Sequence, residues 1–268
     1  MPRHDRASEN VLATKDLSLA YGRSPIVEHL DLAVRTGAFT ALLGPNGSGK
    51  STCLRALAGL LAPKGGTVLL DGTSISRLST RQLALRVGFL HQGPPVPEGL
   101  TVQDLVRQGR YPHRSLFGVW STKDESACEE ALMLTGTMDL RHRPLESLSG
   151  GQRQRAWIAV TLAQETDILL LDEPTTFLDL AHQIELMELV VRLVRRDKTV
   201  VAVLHDLNQA ARYADHIVLL KAGRLCAAGA PATVLTAPNI HQVFDVAVTV
   251  IDDPVTGTPL CLPLSRQV

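Results

Sequence analysis

The sequence predicts an α/β fold built on a largely parallel sheet, and three observations carry the prediction. Short apolar runs alternate with longer segments of helical periodicity. A glycine-rich loop links one of those runs to a helical pattern, the setting that a phosphate-binding loop requires. One of the runs, Ile168 to Leu171, is apolar throughout, as strands covered on both faces are.

Along the chain, Phe39 to Leu43 reads as a buried strand and Thr52 to Leu61 as the helix after it. Arg86 to Leu90 reads as the next strand. The stretch from Gly93 to Glu165 then changes character. A turn-rich segment, Gly93-Pro94-Pro95-Val96-Pro97-Glu98-Gly99, gives way to helical patterns at Val102 to Gln108, Lys123 to Thr135 and Gly151 to Ala163. It reads as a helical insertion between two strands. Ile168 to Leu171 and Thr199 to Leu204 resume the strands, followed by helical patterns at Ala181 to Arg195 and Leu207 to Ala214. His216 to Leu220 is a further strand, and the turn Lys221-Ala222-Gly223-Arg224 leads into another short one. The tail from Ala230 to Val268 is rich in Pro and Thr with short β-branched runs, and reads as small strands and loops. The expected organisation is a single domain over 1–268: a catalytic α/β core from 1–92 and 166–229, a helical subdomain from 93–165, and a tail from 230–268 packed on the core.

Composition narrows the class. The 268 residues are 45% apolar and 20% charged, which fits a globular chain and excludes disorder. The 27 basic residues balance 27 acidic ones, so no net field recruits nucleic acid. No uninterrupted apolar run exceeds five residues, whereas a membrane span needs about 20. Met1 to Asn10 lacks the apolar stretch of a signal peptide. Cys53, Cys128, Cys226 and Cys261 lie far apart, with no C-x-x-C pair, and suit a reducing compartment. A cytoplasmic protein without a membrane segment of its own is expected.

Gly44-Pro45-Asn46-Gly47-Ser48-Gly49-Lys50-Ser51 satisfies G-x-x-x-x-G-K-[ST]. Its glycines let successive backbone N–H groups turn inward to bind β-phosphate oxygens at the positive end of a helix. Lys50 would bring a point charge to the β- and γ-phosphates, and Ser51 a hydroxyl ligand for Mg2+. The strand Ile168 to Leu171 ends in Asp172 and Glu173. Asp172, at the exit, can hold Mg2+ through its water shell, and Glu173 can polarise a water against the γ-phosphate. Without the phosphate loop, such a carboxylate pair would read as a solvated cap. Gln92 and His205 each lie one or two residues past the carboxyl end of a strand. Singly they read as a surface amide and a helix N-terminal or core histidine. Together with the loop and the carboxylates they put four kinds of phosphate chemistry on the edge where open α/β sheets bind ligands. The residues read as a Mg-dependent P-loop ATPase.

Leu148-Ser149-Gly150-Gly151-Gln152-Arg153-Gln154-Arg155 is a Ser-Gly-Gly turn opening a helix, which presents N–H groups and a hydroxyl to an anion. A second anion-binding helix start in one chain makes sense if two copies face each other, each start capping the γ-phosphate held by the other copy's loop. Placed between a P-loop and an Asp-Glu strand, this string resembles the signature of the ATP-binding cassette (ABC) ATPases. The resemblance runs from about Leu17 to Pro263. It implies a P-loop NTPase core with an antiparallel β edge and an inserted helical subdomain. It also implies roles. Tyr21 is similar to the aromatic that stacks on adenine, and Gly44, Pro45, Asn46, Gly47, Ser48, Gly49, Lys50, Ser51 and Thr52 to the loop that cradles the phosphates. Gln92 resembles the Q-loop glutamine linking Mg2+ and water to the transporter interface. Ser149, Gly150, Gly151 and Gln152 resemble the signature turn that closes on the partner's nucleotide. Asp172 resembles the metal-site aspartate, Glu173 the catalytic glutamate, Asp179 the D-loop aspartate and His205 the switch histidine on the γ-phosphate.

A narrower resemblance rests on Gly109-Arg110-Tyr111-Pro112-His113, on Pro174 to Asp179, on His205-Asp206-Leu207-Asn208-Gln209-Ala210 and on Asp252 to Pro259. These are similar to the branch serving iron-chelate importers of the ferric siderophore, cobalamin and haem type. Two places depart from the common pattern: His91-Gln92 where Pro-Gln is frequent, and Thr176-Phe177 where Ser-x is usual. The implied activity is hydrolysis of ATP to ADP and phosphate, energising uptake of ferric siderophores through a separate permease. Cobalamin or haem import is the alternative, and a soluble non-transport ABC ATPase the more distant one. A small-molecule kinase has no use for the Leu148 to Arg155 string. The implied partners are a second copy in a nucleotide-sandwich homodimer, transmembrane permease subunits and, indirectly, an extracytoplasmic substrate-binding protein, with no nucleic acid. The implied place is peripheral, on the cytoplasmic face of the inner membrane.

Overall fold

Alternation along two long N-terminal strands builds the first layer. The computed structural model describes residues 10–93, 98–114 and 119–264, so Met1 to Glu9 and the Pro94 to Pro97 part of the turn-rich segment lie outside the described residues. Strand β1 (Asn10–Tyr21) pairs antiparallel with β2 (Ser24–Arg35), whose inward positions Val27, Leu30, Leu32 and Val34 are buried. β3 (Phe39–Leu43) is buried at every position and runs into the glycine loop and α1 (Lys50–Leu57). β4 (Gly65–Leu70) and β5 (Thr73–Ser74) complete an antiparallel sheet of order β2-β1-β4-β5. After α2 (Thr80–Ala84) and β6 (Val87–Leu90) come three longer helices, α3 (Val102–Gln108), α4 (Thr122–Leu134) and α5 (Gly150–Ala163).

The chain then returns to the core through β7 (Ile168–Asp172), α6 (Leu180–Val194), β8 (Thr199–Val203), α7 (Leu207–Tyr213), β9 (His216–Lys221) and β10 (Arg224–Gly229). It ends in α8 (Pro231–Val234), α9 (Ala237–Phe244) and a hairpin of β11 (Val248–Asp252) with β12 (Pro259–Pro263).

The second sheet has the order β10-β9-β3-β8-β7-β6, parallel except for β10 at its edge. Because a strand's side chains alternate, its apolar runs feed two cores at once. Leu42, Leu170, Val201 and Val203 pack with α1 and the antiparallel sheet. Ala41, Leu43, Leu169, Leu171 and Ala202 pack with α6, α7 and the C-terminal elements. The antiparallel part of the fold is thus β10, the four-stranded sheet and the β11–β12 hairpin.

The three helices between β6 and β7 enclose a separate cluster that includes Leu105, Val106, Leu132, Leu148 and Ala159. Each starts on a capping box, formed by Thr101 with Asp104, Ser121 with Asp124, and Ser149 with Gln152. Arg110, 1% exposed, ties their ends together: Nε donates to Asp124 at 2.9 Å, and Nη1 to the Ala163 carbonyl and to Glu165, each at 2.7 Å. Removing one partner of a buried ion pair costs about 3–5 kcal/mol, and Arg110→Met is expected to lower the unfolding free energy in urea by that order. The Ser121 hydroxyl, helped by Arg110 and opposed by burial, holds the Asp124 carboxyl down at about 2, below its ordinary 3.8. A depressed carboxyl contributes stability that is complete above its unfolded pKa and is lost as pH falls through the folded one. The acid limb of unfolding is therefore expected between about pH 4 and pH 2 and to shrink in Arg110→Met.

Several boundaries differ from the sequence reading, each for a local reason. The helix expected at Thr52 to Leu61 begins at Lys50, directly on Gly49, and stops at Leu57 because Gly59 takes a left-handed φ of 71°. The tail holds two helices where strands and loops were expected. Pro231 and Pro238 stand in first helical turns, where proline is at home, and Thr236 caps α9 on Asn239. The prolines there mark helix starts. No helix among the described residues is long and apolar enough to cross a membrane.

Candidate active site

Strand order does the first part of the work. β3, β8, β7 and β6 are neighbours and parallel, so their carboxyl ends deliver, side by side, the glycine loop, His205, Asp172 with Glu173, and Gln92. At Gly44 an added Cβ would stand 2.1 Å from the Leu220 carbonyl oxygen of β9, so only glycine lets the loop leave the sheet there. At Gly49, φ is 96° and a Cβ would meet Val27 at 2.9 Å. The loop is buttressed from outside: Gly223 in the β9–β10 turn donates to the Ser48 carbonyl, and Glu28 of β2 to that of Gly223, both at 3.1 Å.

Lys50 opens α1 and is buried. Its ammonium donates to the carbonyls of Gly44 at 2.8 Å and Pro45 at 2.9 Å. Burial lowers its pKa, and the charges of Glu173 and Asp172 oppose that shift. Ser51 Oγ donates to Asp172 Oδ1 at 2.7 Å across the β3–β7 exits. Asp172 is fully buried, and its other oxygen, Oδ2, has no hydrogen-bond partner among the described residues. Burial pushes its pKa up, against the Ser51 hydrogen bond and the charge of Arg55. One hydroxyl and one carboxylate with a spare buried oxygen fit a small hard cation that takes its remaining ligands from phosphate and water, as Mg2+ does.

Glu173 sits one residue further, in a left-handed backbone conformation with φ 51°. Such a conformation is costly for a side chain larger than glycine and recurs at functional turns. Here it turns the carboxylate into the cleft, where three donors fix it. Gln92 Nε2 donates to Oε2 at 2.6 Å, Thr176 Oγ1 to the same oxygen at 3.2 Å, and His205 Nε2 stands 2.8 Å from Oε1. A cavity of about 610 Å³ opens over this group, lined by Ile26, residues 46–52, Gln92, Glu173, Thr176 and His205.

Fold and loop therefore bring together Asn46, Gly47, Ser48, Gly49, Lys50, Ser51, Thr52, Gln92, Asp172, Glu173 and His205. Tyr21 does not line the cavity. It stands half exposed at the end of β1, where its hydroxyl accepts from Arg55 at 3.2 Å. The signature residues are also elsewhere. Ser149 caps α5, with its hydroxyl accepting from the Gln152 N–H at 3.2 Å and its own N–H donating to Gln152 Oε1 at 3.0 Å. Gly150 and Gly151 lie against Phe177 and Leu178. Asp179 caps α6, accepting from the His182 N–H at 2.9 Å and standing 2.7 Å from its Nδ1. Ile26, Thr176 and Arg55 are site neighbours that motif reading did not single out for these positions. Ile26 arrives from another sheet, and nothing in its local sequence marks it.

A larger cavity, of about 720 Å³, lies between the end of α1, β4, α2 and β6, and reaches His91 and Gln164 at the joint with the helical insertion.

The ABC transporter family pattern matches residues 27–176. Over 96% of this chain and 94% of that protein, the sequence is 51% identical to the "Probable siderophore transport system ATP-binding protein YusV" of Bacillus subtilis (strain 168). It is 49% identical to the ferric enterobactin transport ATP-binding protein FepC of Escherichia coli (strain K12), over 95% and 94%. Among solved structures, the dimeric bacterial ABC transporter cassette MJ0796 superposes with a TM-score of 0.74 at 29% identity, covering 82% of this chain and 98% of that one. Its post-hydrolysis form bound to ADP and Pi superposes with a TM-score of 0.72 at 29% identity, with the same coverage.

Proposed function

We propose, from the premise that this chain belongs to the ABC transporter family, that it is the ATP-hydrolysing subunit of an importer of iron chelates, ferric siderophores first. The observation that carries the catalytic part is the Glu173 carboxylate held between Gln92 and His205 above the Lys50–Ser51 loop. In this reading the loop N–H groups and Lys50 bind the β- and γ-phosphates, and Ser51, Asp172 and Gln92 would hold Mg2+. A cation held there would supply positive charge against the phosphate oxygens. Glu173 orients a water in line with the γ-phosphate, Gln92 and His205 fix that carboxylate, and His205 and Lys50 face the charge that spreads on the transferred group. Tyr21 is assigned to the adenine.

Ser149, Gly150, Gly151, Gln152 and Asp179 are assigned to the facing copy's nucleotide. They do not line their own chain's cavity, which supports that assignment, as does the dimeric state of the similar cassette. The residue 93–165 helices, with their own apolar cluster, are assigned the transmission of closure, and the core (1–92, 166–229) the chemistry. ABC cassettes of importers act with membrane permease subunits. The 720 Å³ cavity at the joint of core and helices, lined by His91 and Gln164, is where we place the permease contact. The extracytoplasmic binding protein, a peripheral location on the cytoplasmic face of the inner membrane and the choice of siderophore over cobalamin or haem belong to the same proposal. The names of the two relatives support the choice of siderophore.

Uptake of radiolabelled ferric siderophore, cobalamin and haem by cells with and without this subunit tests the cargo. Loss of siderophore uptake alone is the expected result, and loss of cobalamin or haem uptake instead would replace it. ATPase activity of the purified chain is expected to rise several-fold with its permease and loaded binding protein, and an unmoved rate would favour a non-transport ATPase.

A further inference from the structure

Two of the sequence motifs have no place yet in the chemistry: the residues after His205, and the C-terminal stretch around Asp252 to Pro259. They meet in the fold. Asn208, in the first turn of α7, donates through Nδ2 to the carbonyl of Cys261 at 3.2 Å, and the Cys261 N–H donates back to Asn208 Oδ1 at 2.7 Å. One side-chain amide thus reads both main-chain groups of one residue of β12, as a neighbouring strand would. Asparagine suits this because its amide carries a donor and an acceptor on one short stem.

Cys261 is 3% exposed and packs in the same apolar cluster as Ala210 and Ala211 of α7, so its main-chain groups depend on this partner. Two residues earlier, Asp206 Oδ1 caps α7 by accepting from the main-chain N–H groups of Asn208 at 2.8 Å and Gln209 at 3.0 Å. The residue before that cap is His205, 2.8 Å from the Glu173 carboxylate. From the C-terminal hairpin, hydrogen bonds lead from Cys261 to the Asn208 side chain and from the Asn208 main-chain N–H to Asp206, and the chain itself leads on to His205, which faces Glu173.

We infer that Asn208 is a positioning residue for His205 and that the β11–β12 hairpin is the fixed body against which it holds the imidazole. The segment from His205 to Asp206 belongs to neither strand nor helix, so its direction is set by what anchors the first turn of α7. On its core side α7 is held by apolar packing alone, through Ala210 and Ala211 with Leu207 and Tyr213 beside them. The Asn208–Cys261 pair adds two directional hydrogen bonds to that packing. A shift of about 1 Å at a reacting group can lower a rate by as much as 100-fold, and the hairpin is thereby a part of the catalytic apparatus without touching nucleotide.

This inference rests on the assignment of His205 to the γ-phosphate, and the test separates the two. Steady-state and single-turnover ATPase rates of the full chain with Mg2+ are measured for Asn208→Ala, Asn208→Asp, His205→Ala and the double variant Asn208→Ala/His205→Ala. Asn208→Ala is expected to lower kcat about tenfold with KM for ATP within about twofold, since the phosphate loop is untouched. Asn208→Asp keeps the acceptor for the Cys261 N–H, loses the donor, and is expected to lose about threefold in kcat while its thermal midpoint stays near the parent's. In the double variant the Asn208 loss is expected to vanish, because its target is gone. A parental kcat in both Asn208 variants overturns the inference. So does a joint change of kcat and KM, or a double variant whose losses multiply. If His205→Ala itself turns over like the parent, the assignment of His205 fails instead.

Discussion

Glu173→Gln is expected to lower the single-turnover rate of ATP hydrolysis by at least about 100-fold, the lower range for removal of a general base. ATP affinity should stay within about threefold of the parent. The substitution is nearly isosteric and leaves the Lys50 and Ser51 side of the cavity intact. What changes is the chemistry of one oxygen. The carboxylate accepts from Gln92 and Thr176 on Oε2 and faces His205 on Oε1. An amide offers one acceptor atom and one donor atom, so its oxygen can keep Gln92 and Thr176 while the His205 contact needs the imidazole tautomer that accepts at Nε2. More decisively, the amide cannot take a proton from water. With the γ-phosphate retained, the contacts proposed to close two copies over two nucleotides should persist, and the closed state should be the one populated. Size exclusion with ATP and Mg2+ should therefore show a stable dimer for this variant and a transient one for the parent. Turnover near the parental rate would remove Glu173 from the role of base.

Ser149→Arg should give a comparable loss of turnover, about 100-fold, by a different route. Ser149 makes no contact with its own chain's cavity, so nucleotide binding by the monomer should persist. Losing the cap on α5 costs about 1 kcal/mol, within the reserve of a domain of this size. In the proposed sandwich the long side chain at the helix start would stand where the facing copy's γ-phosphate approaches, and closure should fail. The sharper measurement mixes two defective chains. One carries Ser149→Arg and the other Lys50→Ala, each inactive alone. In the mixed dimer one pocket is built from an intact loop and an intact signature, and part of the activity should return. A mixture as inactive as its components would mean that the signature serves its own chain, and the composite pocket would be abandoned.

Why some of this was legible in the sequence and some was not has a single physical origin. Asn46 to Ser51 carry consecutive backbone N–H groups, so spacing alone describes the cradle. Asp172 and Glu173 are marked by the fully apolar run before them, and Ser149 by the turn it caps. These features depend on neighbours within a few residues. Prolines at Pro231 and Pro238 were also local signals, but of the opposite meaning from the loop reading, because proline in the first turn starts a helix.

What folding alone decided are the meetings between distant segments. Ser51 reaches Asp172 across 121 residues, Gln92 reaches Glu173 across 81, and Asn208 finds Cys261 across 53. Motif and strand exits put the first two on one sheet edge beforehand, since parallel strands align their carboxyl ends. Strand order, the left-handed turn at Glu173, the displacement of Tyr21 from the cavity and the amide on β12 left no trace in local sequence. A residue's type and near neighbours state which hydrogen bonds it can make. Only packing of the whole chain chooses which distant group completes them.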